Sequence, residues 1–409
     1  MGDGGSDITR FMNQRAHAED LSGPVDQVVS QQQEIYYRWE VRDAVQICDS
    51  RPASRYLACA HGGYHPIMQL LPNGSLAVVA RGGDFWVGER GRIEWMVSND
   101  GGESWCQPRP IVTMRPDPCH WAFGQTSQGT LLVSFVQPHN YNNGVWDTGT
   151  YRRGPLFLIR SEDLGQTWSP PVTIDTSFFP GAGFNPYGKI IELGDGTLLM
   201  GLHTISPDST GAATFTGKGQ ASCYILRSRD GGQTWGDPSR LTESGFVQPA
   251  LLEISAGKLL VTLTERDGAQ ATWQTESTDQ GRTWTPPRQI TSAKENHSDL
   301  LRLRDGRILL TFGHRHIPCG VQGLLSYDDG STWDHRHRVV FAAESVYENC
   351  GNPSSVQLAD GMVATAYYVH QSTGPFRHPK PYWVSTGDLQ GPYAAVVKVH
   401  SKDLPDSAV

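Results

Sequence analysis

Residues 161–168 read Ser-Glu-Asp-Leu-Gly-Gln-Thr-Trp, and the pattern they define, S-x-D-x-G-x-[ST]-W, occurs five times in the chain. The other copies run from Ser98 to Trp105, Ser228 to Trp235, Ser277 to Trp284 and Ser326 to Trp333. Each residue type has a physical use at its position. An Asp carboxylate accepts backbone N–H bonds across a tight turn, and the glycine adopts a conformation that side chains resist. The tryptophan supplies a large apolar face for packing between neighbouring sheets. These boxes are structural rather than catalytic.

A second repeat lies upstream of each box and reads L-x-D-G-x-L-L or a close variant. It occupies residues 71–76, 127–132, 193–199, 254–260, 303–309 and 358–363. A turn of Asp-Gly type between apolar runs is a strong hairpin signal. Six hairpins predict six units, the last with its box eroded near Ser385–Asp388. A unit of about 50–65 residues accommodates four short strands, the size of a propeller blade. The fold expected is all-β: a single six-bladed β-propeller with Asp-box repeats over residues 31–400, preceded by a polar arm over 1–30. The segment 34–48, EIYYRWEVRDAVQIC, reads as a strand that closes the ring.

Composition agrees with an all-β chain: 45 Gly, 26 Pro, 12 Trp and 14 Tyr, with few long apolar runs. The formal net charge of -8 argues against a nucleic-acid or membrane-surface partner, both of which need a basic footprint. No segment approaches the length of a membrane helix. The first twenty residues contain no apolar stretch of signal-peptide type. The seven cysteines are scattered singly without paired spacing, which suits a reducing compartment. A cytoplasmic location is therefore expected.

The two repeats together resemble the sialidase superfamily of Asp-box propellers over about residues 55–390. The same scaffold hosts hydrolases, lyases and non-catalytic binders, so function must be read from a site. Strand direction places that site. The first strand of each unit runs into the hairpin turn and the second returns, so the start of the first and the end of the second share one face. The Asp boxes fall on the opposite face.

The residues at those positions are rich in His, Tyr and Arg. In blade order the candidates are His65, Arg81 and Asp84; His120 and His139; Tyr187 and His203; Gln248, Glu265 and Arg266; His314 and Arg315; and Asn352, Tyr368 and His370. Arg81, Arg266 and Arg315 come from different blades and suit one anionic group, such as the carboxylate of an ulosonic or uronic acid. Asp84, His65, His120, Tyr187 and Glu265 are the candidate catalytic groups, and the remainder are candidate substrate contacts.

The sialidase resemblance implies three arginines on a carboxylate, an Asp acid/base, and a Tyr nucleophile activated by a Glu. Asp84 lies where the acid/base is expected, Arg266 where the second arginine belongs, and Arg315 is a plausible third. Three positions depart from the pattern: His65-Pro66 stands where the family has Arg-Ile-Pro, Gln248 replaces the supporting Glu, and Asn352 replaces the Tyr.

Three readings follow. The first is a sialidase-like glycoside hydrolase acting on an acidic sugar or oligosaccharide. The second is a lyase performing β-elimination beside a uronate, with Tyr187 (its pKa lowered by Lys189) and His120 or His139, a set similar to that of the propeller ulvan lyases. The third is a glycan-binding propeller without catalysis. No cofactor motif and no metal-ligand spacing stand out; His314-x-His316 is a weak signal.

Overall fold

The computed structural model describes residues 54–59, 63–83, 91–137, 141–142, 145–146, 154–179, 183–206, 220–345, 347–372 and 389–406. The expected arm over 1–30, the segment 34–48, Asp84, His139 and the eroded box near residue 385 lie outside them.

The described chain is all-β. Its strands form antiparallel four-stranded meanders in sequence order. The innermost strands are Tyr64–Leu70, Cys119–Gln125, Gly183–Pro186 continued by Gly188–Glu192, Phe246–Ser255, Glu295–Arg302 and Gly351–Gln357. Each pairs with the strand that follows it: Leu76–Gly82, Leu131–Val136, Leu198–Ser206, Lys258–Glu265, Ile308–His314 and Met362–Ser372. The second and third meanders are joined edge to edge by parallel pairing of Gly188–Ile190 with Ala122–Gly124. The sixth takes its fourth strand, Ser54–Cys59, from the beginning of the chain, antiparallel to Leu389–His400.

The predicted hairpins form because their glycines take the left-handed conformation that side chains resist. Gly196 has φ +84° and Gly306 φ +94°. The preceding Asp locks the turn from its side chain: Asp195 Oδ1 accepts from the Thr197 N–H at 2.9 Å, and Asp305 Oδ1 from the Arg307 N–H at 3.1 Å.

The Asp boxes close by a similar device. In the fourth copy, Asp279 Oδ1 accepts from the N–H groups of Arg282 and Thr283, both at 2.9 Å, while Oδ2 accepts from the Thr283 hydroxyl at 2.6 Å. These bonds hold the Asp279 carboxyl far below its ordinary range.

The core is divided between neighbours. Each apolar cluster joins residues of two consecutive meanders, such as Val79 and Trp95 with Phe123 and Val133, or Leu199 and Ile225 with Leu251 and Val261. A further cluster joins Met68 and Val78 of the first meander to Val356 and Ala366 of the sixth. The inner strands touch in the same cyclic order, with the sixth against the first. Their starting ends therefore crowd around one axis, and that crowding builds the site.

Candidate functional site

Each inner strand breaks register as it enters the sheet. The breaks fall between Tyr64 and Ile67, Cys119 and Trp121, Val247 and Ala250, Asn296 and Ser298, and Gly351 and Ser354. In the third meander the strand is split between Pro186 and Gly188. At every break the chain adopts positive φ: His65 (46°), His120 (44°), Gly188 (72°), Gln248 (55°), His297 (60°), and Gly351 (93°) with Asn352 (44°).

For a residue with a side chain this conformation costs roughly 1–2 kcal/mol, and His and Asn tolerate it better than bulkier types. Proline follows at 66, 249 and 353, so the backbone after three of the kinks is stiff. Such bulges re-aim side chains, here into two adjoining cavities.

The larger cavity, about 420 Å³, is lined by His65, His203, Gln248, Thr264, Glu265, Arg266, Asn296, His297, Arg315 and Asn349, with Lys294 and Glu348 among its other residues. All of these come from the starts of inner strands or the ends of their partners, the face that strand direction predicts. Arg315 donates from Nη2 to Asn352 Oδ1 at 3.2 Å, and its buried Nε–H has no partner among the described residues. Glu265 has a buried Oε2 in the same condition. Lys294 pairs with Glu348 at 3.1 Å, both about half exposed, as a screened bridge.

The imidazoles are held neutral. His203 has its Nδ1 3.4 Å from the Gln248 backbone nitrogen and its Nε2 3.0 Å from Asn185 Nδ2. His297 Nδ1 lies 3.3 Å from the Thr264 hydroxyl. Burial, then repulsion from neighbouring His and Arg, pushes the pKa values of His65, His203 and His297 well down. Burial and then Arg81 bring His120 to about 3.

The smaller cavity, about 20 Å³, is lined by His65, His120, Trp121, Tyr187, Asp299 and Asn352 together with the adjoining backbone residues. His65 is the residue shared by both cavities. The Tyr187 hydroxyl accepts from Asn352 Nδ2 at 3.2 Å. Lys189 turns away to Asp299 Oδ2 at 2.7 Å and the Ser355 carbonyl at 2.6 Å. Burial therefore raises the Tyr187 pKa instead of Lys189 lowering it, which overturns the expectation of an activated phenol.

Three further placements correct the sequence reading. Arg81 is 1% exposed, lines neither cavity, and is bound to Asp117 at 2.6 Å and to the Pro118 carbonyl at 3.0 Å. It is a buried ion pair whose charge reaches the site only as a field. His314 turns between strands to Glu295 at 3.2 Å, and Glu295 is also clasped by Arg338. His370 is 0% exposed and packs against the rings of Tyr64, Tyr347 and Tyr368.

Tyr368 also lies beneath the lining: its ring is 5.6 Å from that of His65, and its hydroxyl donates to Asn349 Oδ1 at 2.6 Å. His65, His203, Gln248, Glu265, Arg266 and Arg315 do gather in the larger cavity, and His120, Tyr187 and Asn352 in the smaller. Thr264, Gln270, Lys294, Asn296 and Asn349 line the larger cavity without having been singled out. Asn296 and Thr264 sit one residue from His297 and Glu265, and only the bulges bring such neighbours to one cavity. Among the described residues no three His, Cys, Asp or Glu side chains gather as metal ligands.

A family profile described as a BNR repeat-like domain matches residues 123–318. Solved sialidases share the fold around it. Residues 123–318 thus match the BNR repeat-like family, and the fold of the chain is that of solved sialidases.

The chain superposes with a TM-score of 0.68 on a Dyadobacter fermentans protein of unknown function, 19% identical, over 86% of this chain and 98% of that one. A Hadza microbial sialidase gives 0.62 at 18% identity, over 84% and 66%. A Trypanosoma rangeli sialidase, solved as a covalent intermediate with 2,3-difluorosialic acid, gives 0.59 at 16% identity, over 84% and 55%. The chain thus spans about two thirds or less of those two sialidases. No curated protein sequence matches it.

Proposed function

We propose that the meanders are the blades of a closed six-bladed propeller, and that the protein is a glycoside hydrolase acting on an acidic sugar held in the larger cavity. The observation that carries this reading is a pair of groups in one cavity: the Arg315 guanidinium with an unpartnered Nε–H, and Glu265 with an unpartnered carboxylate oxygen. Buried polar atoms are ordinarily satisfied, so such a pair suits a ligand that brings both an anion for the guanidinium and a hydroxyl for the carboxylate. Arg266 supplies the second guanidinium, and His203, His297 and Gln248 offer neutral hydrogen bonds to hydroxyls. Glu265 serves as the acid that protonates the leaving oxygen.

The sialic-acid derivative bound by the Trypanosoma relative supports an ulosonic acid as the first substrate class to test. The elimination reading has less support. Tyr187 and His120 line a cavity too small for a sugar ring, and burial pushes the Tyr187 proton affinity up. The described cysteines are free thiols, in keeping with the cytoplasmic location proposed from the sequence.

The test is incubation with aryl sialosides, aryl uronides and uronate oligosaccharides, following released reducing sugar and absorbance from a new conjugated double bond. Reducing sugar without absorbance is the expected result, and Glu265→Gln should lower kcat at least ~100-fold. Absorbance with every release of sugar would establish elimination instead. Binding without release would leave a lectin.

A further inference from the structure

The smaller cavity has dimensions that a sugar cannot use and a water molecule can. A volume of about 20 Å³ exceeds the ~10–15 Å³ that one water centre needs, and a buried water also needs 2–4 polar partners. His65, His120, Tyr187, Asp299 and Asn352 line it. It adjoins the sugar cavity at one residue, His65, which lines both. His65 has φ +46° and is followed by Pro66, and its ring is flanked by Trp121 at 5.9 Å and Tyr368 at 5.6 Å. Its position is set by backbone strain and ring packing together, as expected for a group whose direction matters. Asn352, where the sialidase resemblance calls for a tyrosine nucleophile, has no side-chain atom able to form a glycosyl-enzyme bond of that kind.

We propose that the smaller cavity holds the attacking water, that His65 is its general base, and that hydrolysis proceeds by single displacement with inversion at the anomeric carbon. This rests on the hydrolase reading and extends it to the nucleophile. The water oxygen bonds to the anomeric carbon as the bond from that carbon to the leaving oxygen breaks. One water proton passes to the neutral His65 imidazole, and the leaving oxygen takes the proton of Glu265. The two protons then re-equilibrate with solvent, so atoms and charge balance without any further reactant.

His65 is a weak base, since burial, His120, Arg315 and Arg81 all disfavour its cation. That is tolerable here. Water bonding to an oxocarbenium-like carbon becomes strongly acidic late in the step, so proton transfer needs only a well-placed acceptor.

The experiment is proton NMR of the first-formed sugar from an α-sialoside or other acidic glycoside that the wild-type protein hydrolyses. Inversion, with the β-anomer appearing first from an α-glycoside, is the expected result. His65→Asn, which tolerates the positive φ, should lower kcat at least ~100-fold with KM little changed and the melting temperature retained. Hydrolysis with the α-anomer first would overturn this proposal while leaving the hydrolase reading intact. Full activity in a folded His65→Asn variant would do the same. Absence of turnover with every acidic glycoside would overturn the hydrolase reading and this one with it. The wild-type NMR result does not depend on any variant folding.

Discussion

His120 is 7% exposed, with Cys119 Sγ 3.1 Å from its Nδ1, the His203 ring at 6.3 Å, and the charges of Arg81 and Asp117 nearby. Burial and Arg81 keep it neutral until about pH 3. The unfolded chain takes up that proton near the ordinary histidine value of 6.5. Unfolding therefore binds a proton below 6.5, and stability falls as pH falls between 6.5 and about 3. At about 1.4 kcal/mol per pH unit, His120 alone removes about 3 kcal/mol by pH 4.5. Denaturant melts at pH 7 and 4.5 should show the wild type losing about that much more than His120→Asn. An equal loss in both would place the sensitivity in the other buried imidazoles. Arg266→Ala should lower kcat/KM at least ~100-fold by removing a charge that grips the transition state. Steady-state kinetics with the best acidic glycoside would check it, and an unchanged value would remove Arg266 from the site. The candidate list was legible in the sequence because position along a strand is local. Rotation was not: Arg81 lies near the end of one second strand and Arg315 just past the end of another, yet one is sealed against Asp117 and the other opens into the cavity.

Between elements, the boxes do more than close their own turns. An arginine of one meander reaches the box carbonyls of the next. Arg109 donates to the Gly165 and Gln166 carbonyls, and Arg160 to Gly231 at 2.9 Å. Arg227 donates to Gln280 and Gly281 at 2.9 and 2.8 Å, and Arg288 to Gly330 and Ser331 at 2.7 and 2.8 Å. The box glycine completes the contact, since a Cβ on Gly165 would fall 2.4 Å from the Trp95 ring of the preceding meander. Arg227 is 3% exposed, so Arg227→Met removes the donor to the buried Gly281 carbonyl and to the partly buried carbonyls of Asp237 and Gln280, and should cost about 2–4 kcal/mol in a denaturant melt. A cost below about 0.5 kcal/mol would mean the latch is incidental. The boxes were legible because their bonds span four residues. The latch was not, because its arginine comes from third strands in two meanders and from fourth strands in two others.

At the scale of the molecule, no meander owns its core: every apolar cluster is shared by two neighbours, and the sixth meander closes onto the first. A chain cut after Ser345 loses the sixth meander and exposes the clusters on both sides of it. It should show no cooperative thermal transition by circular dichroism, whereas an open stack of repeats would shorten and still melt. A sharp melt of the truncated chain would contradict ring closure. The sequence by itself determined the repeat, the turns and the face on which a site could form. Those depend on hydrogen bonds within a few residues and on strand direction. Only the tertiary structure decided which groups share a cavity. Left-handed kinks at the start of the inner strands turn Gln248 and His297 toward one space, His120 and Asn352 toward another, and set His65 between the two. A kink of that kind is held by packing across the ring, and no local pattern carries it.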